Sequence, residues 1–183
     1  MKIGTLTIRL ALVAVTVVTL LLVPVKNTQA YEYQGYHWNG SACPFSYADL
    51  SSSWQAAVQA SATMWNNVPS ANFTFYHSAY SDNSWSVWYE SLGAVGRATA
   101  WVDGNNHIYM AIAAFNIWYD WDTNEDPDKF DVQSVALHEF GHWLHLADEN
   151  DEGDDVVMFG SIAEGEIKRY LEDDDEDGIQ FIY

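Results

Sequence analysis

The chain has 183 residues, of which 26 are acidic and seven are basic, and its formal net charge is −19. Three of the basic residues but none of the acidic ones lie before position 31, so residues 31–183 hold four basic against 26 acidic residues, a formal charge of −22. Such a surface repels nucleic acid and anionic lipid, and we expect neither as a partner.

The amino terminus has the order of a secretory signal peptide. Two basic residues precede an apolar run over residues 10–23, and small residues suitable for cleavage end at Ala30. We therefore expect a signal peptide at residues 1–30 and one domain at residues 31–183, secreted as an extracellular monomer without a membrane anchor. An uncleaved anchor is the alternative, but the run is shorter than the about 20 residues that span a membrane.

Residues 31–116 have the patterns of the strand-rich half of an α+β domain. Apolar residues recur at helical spacing over residues 52–67, which predicts a helix that ends at the Val68-Pro69 step. Short runs rich in aromatic and β-branched residues predict strands. The predicted strands are residues 43–47, 73–76, 85–90, 98–102 and 108–116.

A buried helix should follow Asp131, which is a good helix cap. The residues up to Leu144 are apolar on nearly every side of such a helix. Residues four apart face the same side of a helix, so His138 and His142 can share one metal ion. Neutral imidazoles suit zinc, and a catalytic zinc keeps an open position for water that the neighbouring Glu139 can reach.

This arrangement predicts hydrolysis of a peptide bond. A bound zinc lowers the pKa of its water toward about 7, and Glu139 acts as the general base that takes the proton. The alternative is that both histidines are core side chains bonded to the backbone. Burying His138, Glu139 and His142 without a metal would leave several polar groups to satisfy, at about 1–3 kcal/mol each.

Several motifs resemble the matrixin-type metzincins, a family of zinc endopeptidases. DVQSVALHEFGHWL at residues 131–144 resembles their active-site helix, Val157-Met158 their Met-turn, and LEDDDEDGIQ at residues 171–180 their C-terminal helix motif. Residues 112–116 are similar, more weakly, to the preceding strand. The resemblance implies a zincin-like α+β fold, with a twisted mixed β-sheet, a buried active-site helix and a C-terminal helix, which the pattern places at residues 173–182.

The resemblance also implies a third zinc ligand. The long family motif H-E-x-x-H-x-x-G-x-x-H/D places Asp148 at that position, where matrixins usually have histidine. His145 stands where the family has glycine. We therefore expect His145 to adopt a positive φ in the turn, at a modest steric cost. His145 itself would lie about 10 Å along the helix axis from His138, too far for one ion. Glu149, Asp151 and His107 remain as alternatives.

Other roles are implied by the resemblance alone. Met158 would form the floor beneath the zinc. Asp174 or Asp175 would pair with the amino group of Tyr31 in the mature chain. A substrate would lie along the edge strand at residues 98–102, with a side chain in a pocket lined by the segment after Met158.

Further metal sites have weaker support. Residues 148–155 form an acidic run that could bind calcium, although most acidic loops are merely solvated. Residues 173–178 match the first half of an EF-hand loop, but the chain has no glutamate at the required last position. His37, His77 and His107 are too scattered in sequence to predict the family's structural zinc.

The expected function is a secreted zinc-dependent endopeptidase that acts on protein or peptide substrates. The alternatives are a catalytically inactive zinc-binding extracellular interaction module and a purely structural secreted domain. Glu139 favours the enzyme, because an inactive site typically loses its base. Cys43 is the only cysteine, which excludes an internal disulfide, and we interpret it as a small buried residue and not as a thiolate that caps the zinc.

Overall fold

The computed structural model describes residues 31–150 and 155–183. The predicted signal peptide at residues 1–30 therefore lies outside the described residues. Within the described part, eight strands and three helices follow one another along the chain. They are β1 His37–Trp38, β2 Ala42–Tyr47, α1 Ser52–Asn66, β3 Thr74–His77, β4 Ser84–Trp88, β5 Gly96–Val102, β6 His107–Asn116, β7 Trp121–Asp122, β8 Phe130–Asp131, α2 Val132–Trp143 and α3 Asp173–Ile182.

Six strands form one mixed sheet. The order is β1, β6, β4, β2 and β3, with all of these neighbours parallel. β5 runs antiparallel to β6, which is its one strand partner among the described residues, so β5 forms an edge of the sheet. β7 and β8 make a separate two-residue pairing that leads directly into α2.

An aromatic core joins the helices to the sheet. The Phe140 ring on α2 lies 4.6 Å from the ring of Phe75, 4.9 Å from Trp85 and 5.3 Å from Phe45, measured between centroids. The indole N–H of Trp65 on α1 donates to a backbone carbonyl of α2 at 2.9 Å. Because each large ring buries about 150–250 Å², this contact set holds α2 firmly against the sheet.

The predicted elements are largely confirmed. The α+β class, the mixed sheet, the buried helix after Asp131 and the C-terminal helix are all present. The first helix ends at Asn66, one residue earlier than predicted. The two-residue strands β1, β7 and β8 were not predicted, because such short elements leave no periodic pattern.

Two further observations bear on the sequence predictions. Cys43 is fully buried in the core, which confirms its predicted place, and burial raises the pKa of its thiol far above the usual range. A neutral, enclosed thiol does not suit a role as a zinc-capping thiolate. In the described part of the chain, no helix has the length and apolar character that crossing a membrane requires.

Candidate metal centre and active site

Helix α2 begins at a buried, charged cap. The Asp131 side chain accepts hydrogen bonds from the backbone N–H of Ser134 at 2.8 Å and from its hydroxyl at 2.7 Å, which confirms the predicted cap. The Arg169 guanidinium donates to both carboxylate oxygens of Asp131, at 3.0 and 2.6 Å. Because Asp131 is 2 % exposed, this bidentate pair ties the segment before α3 to the first turn of α2.

Two imidazoles on α2 face the same point. His138 and His142 lie one helical turn apart, with ring centroids separated by 4.6 Å. Nδ1 of His138 lies 2.8 Å from the carbonyl oxygen of Val157, and Nδ1 of His142 lies 2.8 Å from that of Leu146. A carbonyl oxygen can only accept, so each Nδ1 donates its proton and a neutral ring presents a lone pair at Nε2, the arrangement of metal-binding histidines.

Asp148 supplies a third donor at this point. Its Oδ1 lies 3.2 Å from Nε2 of His138 and 3.3 Å from Nε2 of His142. Three acceptor atoms this close together require a cation, either a proton or a metal ion, between them. A tetrahedral zinc with bonds of about 2.0–2.1 Å holds its ligands about 3.3 Å apart. The donor chemistry and the spacing therefore both fit zinc.

The cluster of His138, His142 and Asp148 is the main candidate for a metal site among the described residues. Within residues 31–150 and 155–183, it is the one group of three or more histidine, cysteine or carboxylate donors that lie within 4.8 Å of one another. The contacts with His138 and then with His142 hold the pKa of the Asp148 carboxyl well below its usual range. Asp148 therefore stays ionised, which suits an anionic metal ligand.

Glu139 lies beside the cluster on the same helix. Its side chain is 4 % exposed, and Oε2 has no hydrogen-bond partner among the described residues. Burial raises the pKa of this carboxyl above its ordinary value, against the opposing influence of His138 and His142. A Cβ atom added at Gly96 on β5 would collide with Oε1 of Glu139. The edge strand thus approaches the carboxylate as closely as a glycine allows.

The Val157-Met158 turn packs against α2 beside the metal-donor group. Its two backbone N–H groups donate to the Asp175 carboxylate on α3 at 3.0 and 3.1 Å. Met158 is 1 % exposed, and its sulfur lies against Gly141 of α2, where a Cβ would collide with it. Asp175 therefore fixes the turn from below while Gly141 lets Met158 pack directly against α2.

The turn between α2 and Asp148 takes the predicted conformation. His145 has φ of +68°, the left-handed region in which the family motif uses glycine. Its ring packs on Tyr36 with centroids 4.7 Å apart, and its carbonyl accepts from the Gln34 N–H at 3.1 Å. Tyr33 and Leu146 form an antiparallel bridge. The amino-terminal segment of the domain thus supports the histidine in this unfavourable conformation.

A cleft lies over the cluster. Its volume is about 420 Å³, and its walls are β5, the face of α2 that carries the three site residues, and the segment after Met158. The cleft therefore brings a buried carboxylate and three metal donors to the wall of a pocket that is large enough for peptide side chains.

The sequence of the chain also matches a family of known proteins. The sequence model of the matrixin family matches residues 47–183, which is more than half of the chain. The chain belongs to the matrixin family. The resemblance of the motifs and the zincin-like fold that it implied are thereby confirmed.

Curated relatives of this matrixin include plant metalloendoproteinases. Metalloendoproteinase 2-MMP of Arabidopsis thaliana is 28% identical over 137 residues, which is 65% of this chain and 34% of the relative. Metalloendoproteinase 1 of Glycine max is 36% identical over 94 residues, 50% of this chain and 29% of the relative. Metalloendoproteinase 5-MMP of Arabidopsis thaliana is 45% identical over 53 residues, 29% and 14% respectively. The chain thus spans about a third or less of each relative's length.

Two of the three alternative third ligands, Glu149 and His107, are outside the metal-donor group of this matrixin. Glu149 is buried, and its backbone N–H donates to the Met158 carbonyl at 2.8 Å, but its side chain does not belong to the three-donor group. His107 lies at the start of β6 and is likewise outside the group. Asp151 lies outside the described residues, as does the middle of the acidic run at residues 148–155 that could bind calcium.

Two of the histidines that are far apart in the sequence, His37 and His107, lie close together in the fold. β1 and β6 pair His37 with His107, and their rings lie 5.3 Å apart edge to face. His107 also lies 3.7 Å from Asp103. His77 stands apart from them, stacked on Tyr47 at 4.6 Å. Parallel pairing across 70 residues of chain brought the two rings together, and sequence spacing does not show such pairing.

Asp174 and Asp175 are the predicted partners of the Tyr31 amino group in the mature chain. Asp175 accepts hydrogen bonds from three backbone N–H groups, those of Val157, Met158 and Glu172, and so already has a structural role. Pairing of the mature amino group with Asp174 or Asp175 stays a prediction.

Sequence reasoning did not find four residues that shape the site. Gly96 and Gly141 allow close approaches, Arg169 holds the helix cap, and Lys168 lines the cleft. Each acts on a residue far away in the chain. The available signals were weak: a glycine just before a predicted strand, a glycine within a predicted helix, and two adjacent basic residues in a very acidic domain.

Proposed function

We propose that this matrixin is a secreted zinc-dependent endopeptidase. The observation that carries the proposal is the convergence of His138, His142 and Asp148 beside the buried carboxylate of Glu139, at the wall of a cleft. The relatives that bear the name metalloendoproteinase support the same reaction class. The substrate is then a protein or peptide, cleaved outside the cell by a monomer.

The metal would be held by Nε2 of His138, Nε2 of His142 and Oδ1 of Asp148. When bound there, zinc supplies a Lewis acid that acidifies water and polarises a peptide carbonyl. The carbonyl oxygens of Val157 and Leu146 keep both rings in the tautomer that leaves Nε2 free. The ionised Asp148 completes a donor set with one negative charge.

Glu139 would move the proton. A carboxylate oxygen accepts a proton from the attacking water while the water oxygen bonds to the carbonyl carbon of the substrate. The same carboxyl then donates that proton to the amide nitrogen as the C–N bond breaks, which leaves a carboxylic acid and an amine. The remaining proton of the water passes from the acid to the amine, so the products are a carboxylate and an ammonium group. The raised pKa of the buried Glu139 carboxyl suits both halves of this transfer, because it makes the group a stronger base toward water and lets it hold the proton until the amide nitrogen takes it.

β5 would position the substrate. This strand is an edge among the described residues and forms one wall of the cleft. An extended peptide can add to such an edge through backbone hydrogen bonds, which align it without regard to its sequence. A scissile bond is thereby brought past the metal donors and Glu139.

Cleavage of casein by the purified protein tests this proposal. We expect cleavage by the zinc-loaded wild type, loss of activity on chelation, and recovery when zinc is restored. Glu139→Ala should keep zinc and lose cleavage by at least about a hundredfold, whereas Glu164→Ala, at an exposed glutamate of the loop before α3, should retain it. A wild type that binds zinc but cleaves neither casein nor a broad peptide library would favour the inactive binding module instead.

A further inference from the structure

The few cations of this domain are concentrated at the cleft. Residues 31–183 contain only four lysine and arginine residues against 26 acidic ones. Two of the four, Arg97 and Lys168, line the cleft over the metal centre. A third, Arg169, lies next to Lys168 and is paired with Asp131. The same lining holds the carboxylates of Glu139 and Asp148, so these two cations are counter-charges within an otherwise acidic site.

Lys168 is built into the pocket wall. Its side chain is 8 % exposed, and its ammonium donates to the Val156 carbonyl at 3.0 Å and lies over the Phe159 ring at 5.2 Å. Two carboxylates are near, Glu166 at 3.4 Å and Asp155 at 3.5 Å. Asp155 is 89 % exposed, so its contact is weak and easily replaced.

The backbone holds Lys168 in place on the α2 side. Its N–H donates to the Ser134 hydroxyl at 2.8 Å, and Ser134 in turn donates to the buried Asp131. The ammonium therefore belongs to a rigid segment, and a substrate carboxylate that reaches it would take the place of the exposed Asp155.

Arg97 places a second cation on the edge strand. Its guanidinium lies 4.3 Å from the centre of the Trp88 ring, which restrains the long side chain. Among the described residues it forms no ion pair. Gly96 and Ala98 face α2, so the Arg97 side chain points to the opposite face of the sheet, where it lies on Trp88. It therefore acts on a substrate in the cleft through its charge at a distance and not by contact.

Apolar side chains occupy the rest of the pocket wall near Lys168, namely Val135, Val157, Phe159 and Ile162. Such a pocket favours a side chain with an apolar stem and a terminal acceptor. We propose that the cleft selects peptides with an acidic residue, glutamate above all, beside the scissile bond, with Lys168 as the specificity-determining residue that contacts the acid and Arg97 as a more distant charge. This inference rests on the proposed peptidase function.

Matched fluorogenic peptides test the selection. They carry glutamate, glutamine, leucine or lysine at one position at a time on either side of a single cleavable bond. For the wild type we expect kcat/KM for the best glutamate peptide to exceed that of its glutamine counterpart by about tenfold, the contribution of one charged hydrogen bond. Equal or faster cleavage of the glutamine or leucine peptide would overturn the proposal.

Substitutions at Lys168 and Arg97 test whether these residues cause the preference for glutamate peptides. In Lys168→Met the glutamate-to-glutamine ratio should fall to about one, and in Arg97→Gln it should fall by a few fold. Lys129→Met removes a cation that pairs with Asp126 away from the cleft and should leave the ratio unchanged. Since each ratio is taken within one variant, a general loss of activity cancels. An unchanged ratio in both Lys168→Met and Arg97→Gln would contradict the assignment.

Binding separates this inference from the peptidase proposal. Zinc-loaded Glu139→Ala is titrated with the same glutamate and glutamine peptides, and the two dissociation constants are compared by calorimetry. If no peptide is cleaved by the wild type, the peptidase proposal fails. About tenfold tighter binding of the glutamate peptide would still support an acid-selective cleft, whereas equal affinities would reject it.

Discussion

Gly96 and Glu139 lie in direct contact in the wall of the cleft, and this contact makes the position of the proposed general base sensitive to a single methyl group. In Gly96→Ala the new Cβ would collide with Oε1 of Glu139 and lie 2.6 Å from Cγ1 of Val135. We expect the carboxylate to be displaced, so that kcat falls by at least about tenfold. The zinc content should stay at the wild-type level, because the metal donors are not touched.

The matched control is Gly104→Ala, where a Cβ would meet nothing within 4 Å. Its kcat and KM should equal those of the wild type. Full activity in Gly96→Ala would show that Glu139 does not need the space beside β5.

The pH dependence of zinc binding follows from the surroundings of His142. Burial lowers the pKa of this imidazole, but the hydrogen bond to Asp148 and the charge of Glu139 outweigh burial, so the metal-free pKa lies above the ordinary 6.5. Below that raised pKa the ring holds a proton that zinc must displace. We therefore expect zinc affinity to fall by at least about tenfold between pH 8 and pH 6, as measured by competition with a chelating dye.

His37→Ala provides the control for this measurement, because His37 lies outside the metal-donor group. Its affinity should change with pH as that of the wild type does. A zinc affinity that is constant from pH 8 to pH 6 would be inconsistent with His142 as a ligand.

The residues of the site differ in how far sequence could predict them. His138, Glu139 and His142 lie on one helix, so their common direction follows from local geometry. Asp148 follows a turn, and its assignment needed the family motif; the structure places it beside both imidazoles. Gly96 and Lys168 act on residues about 40 and 30 positions away in the chain, and no local rule relates such pairs.

At the scale of elements, the cap of α2 links stability to the site. Arg169→Ala would leave the Asp131 carboxylate buried at 2 % exposure without its cation. Removing one partner of a buried ion pair costs about 3–5 kcal/mol, and the two bonds from Ser134 should reduce this to about 2–3 kcal/mol. The free energy of unfolding, measured with urea at pH 7, should fall by that amount.

Lys129→Ala is the matched comparison, because Lys129 pairs with Asp126 in a contact that is more than a third exposed on both sides. Its free energy of unfolding should change by less than about 1 kcal/mol. If both substitutions have equally small effects, the Asp131 and Arg169 pair does not stabilise the helix.

The elements themselves were predictable where a pattern is long. The helices and the strands of four or more residues have repeating apolar positions, which the sequence displays directly. The order of the strands was not predictable. It depends on parallel pairings such as β2 with β4 and β4 with β6, which join segments separated by other elements.

At the scale of the whole molecule, the predicted processing site defines the mature domain. Glu32 to Gln34 pair with the turn after α2 and so belong to the folded domain. We expect export to remove residues 1–30 and leave Tyr31 as the first residue. Intact mass and amino-terminal sequencing of the exported protein measure this directly, and a mature chain that retains the apolar run would indicate the uncleaved anchor.

The overall charge of the domain bears on the proposed preference for acidic peptides. A domain with 26 acidic and four basic residues would repel acidic peptides. Arg97 and Lys168, the cations that line the cleft, would attract such peptides locally. Raising the salt concentration should therefore reduce the preference for glutamate peptides, since the exposed Arg97 is screened.

The most direct test of the metal centre is the zinc stoichiometry of four purified proteins by equilibrium dialysis and elemental analysis. We predict one zinc per chain in the wild type and in Glu139→Ala, and a loss of affinity of at least about a hundredfold in His142→Ala and Asp148→Ala. If Asp148→Ala binds zinc as tightly as the wild type, Asp148 is not the third ligand. If the wild type binds no zinc, the metal centre itself is contradicted.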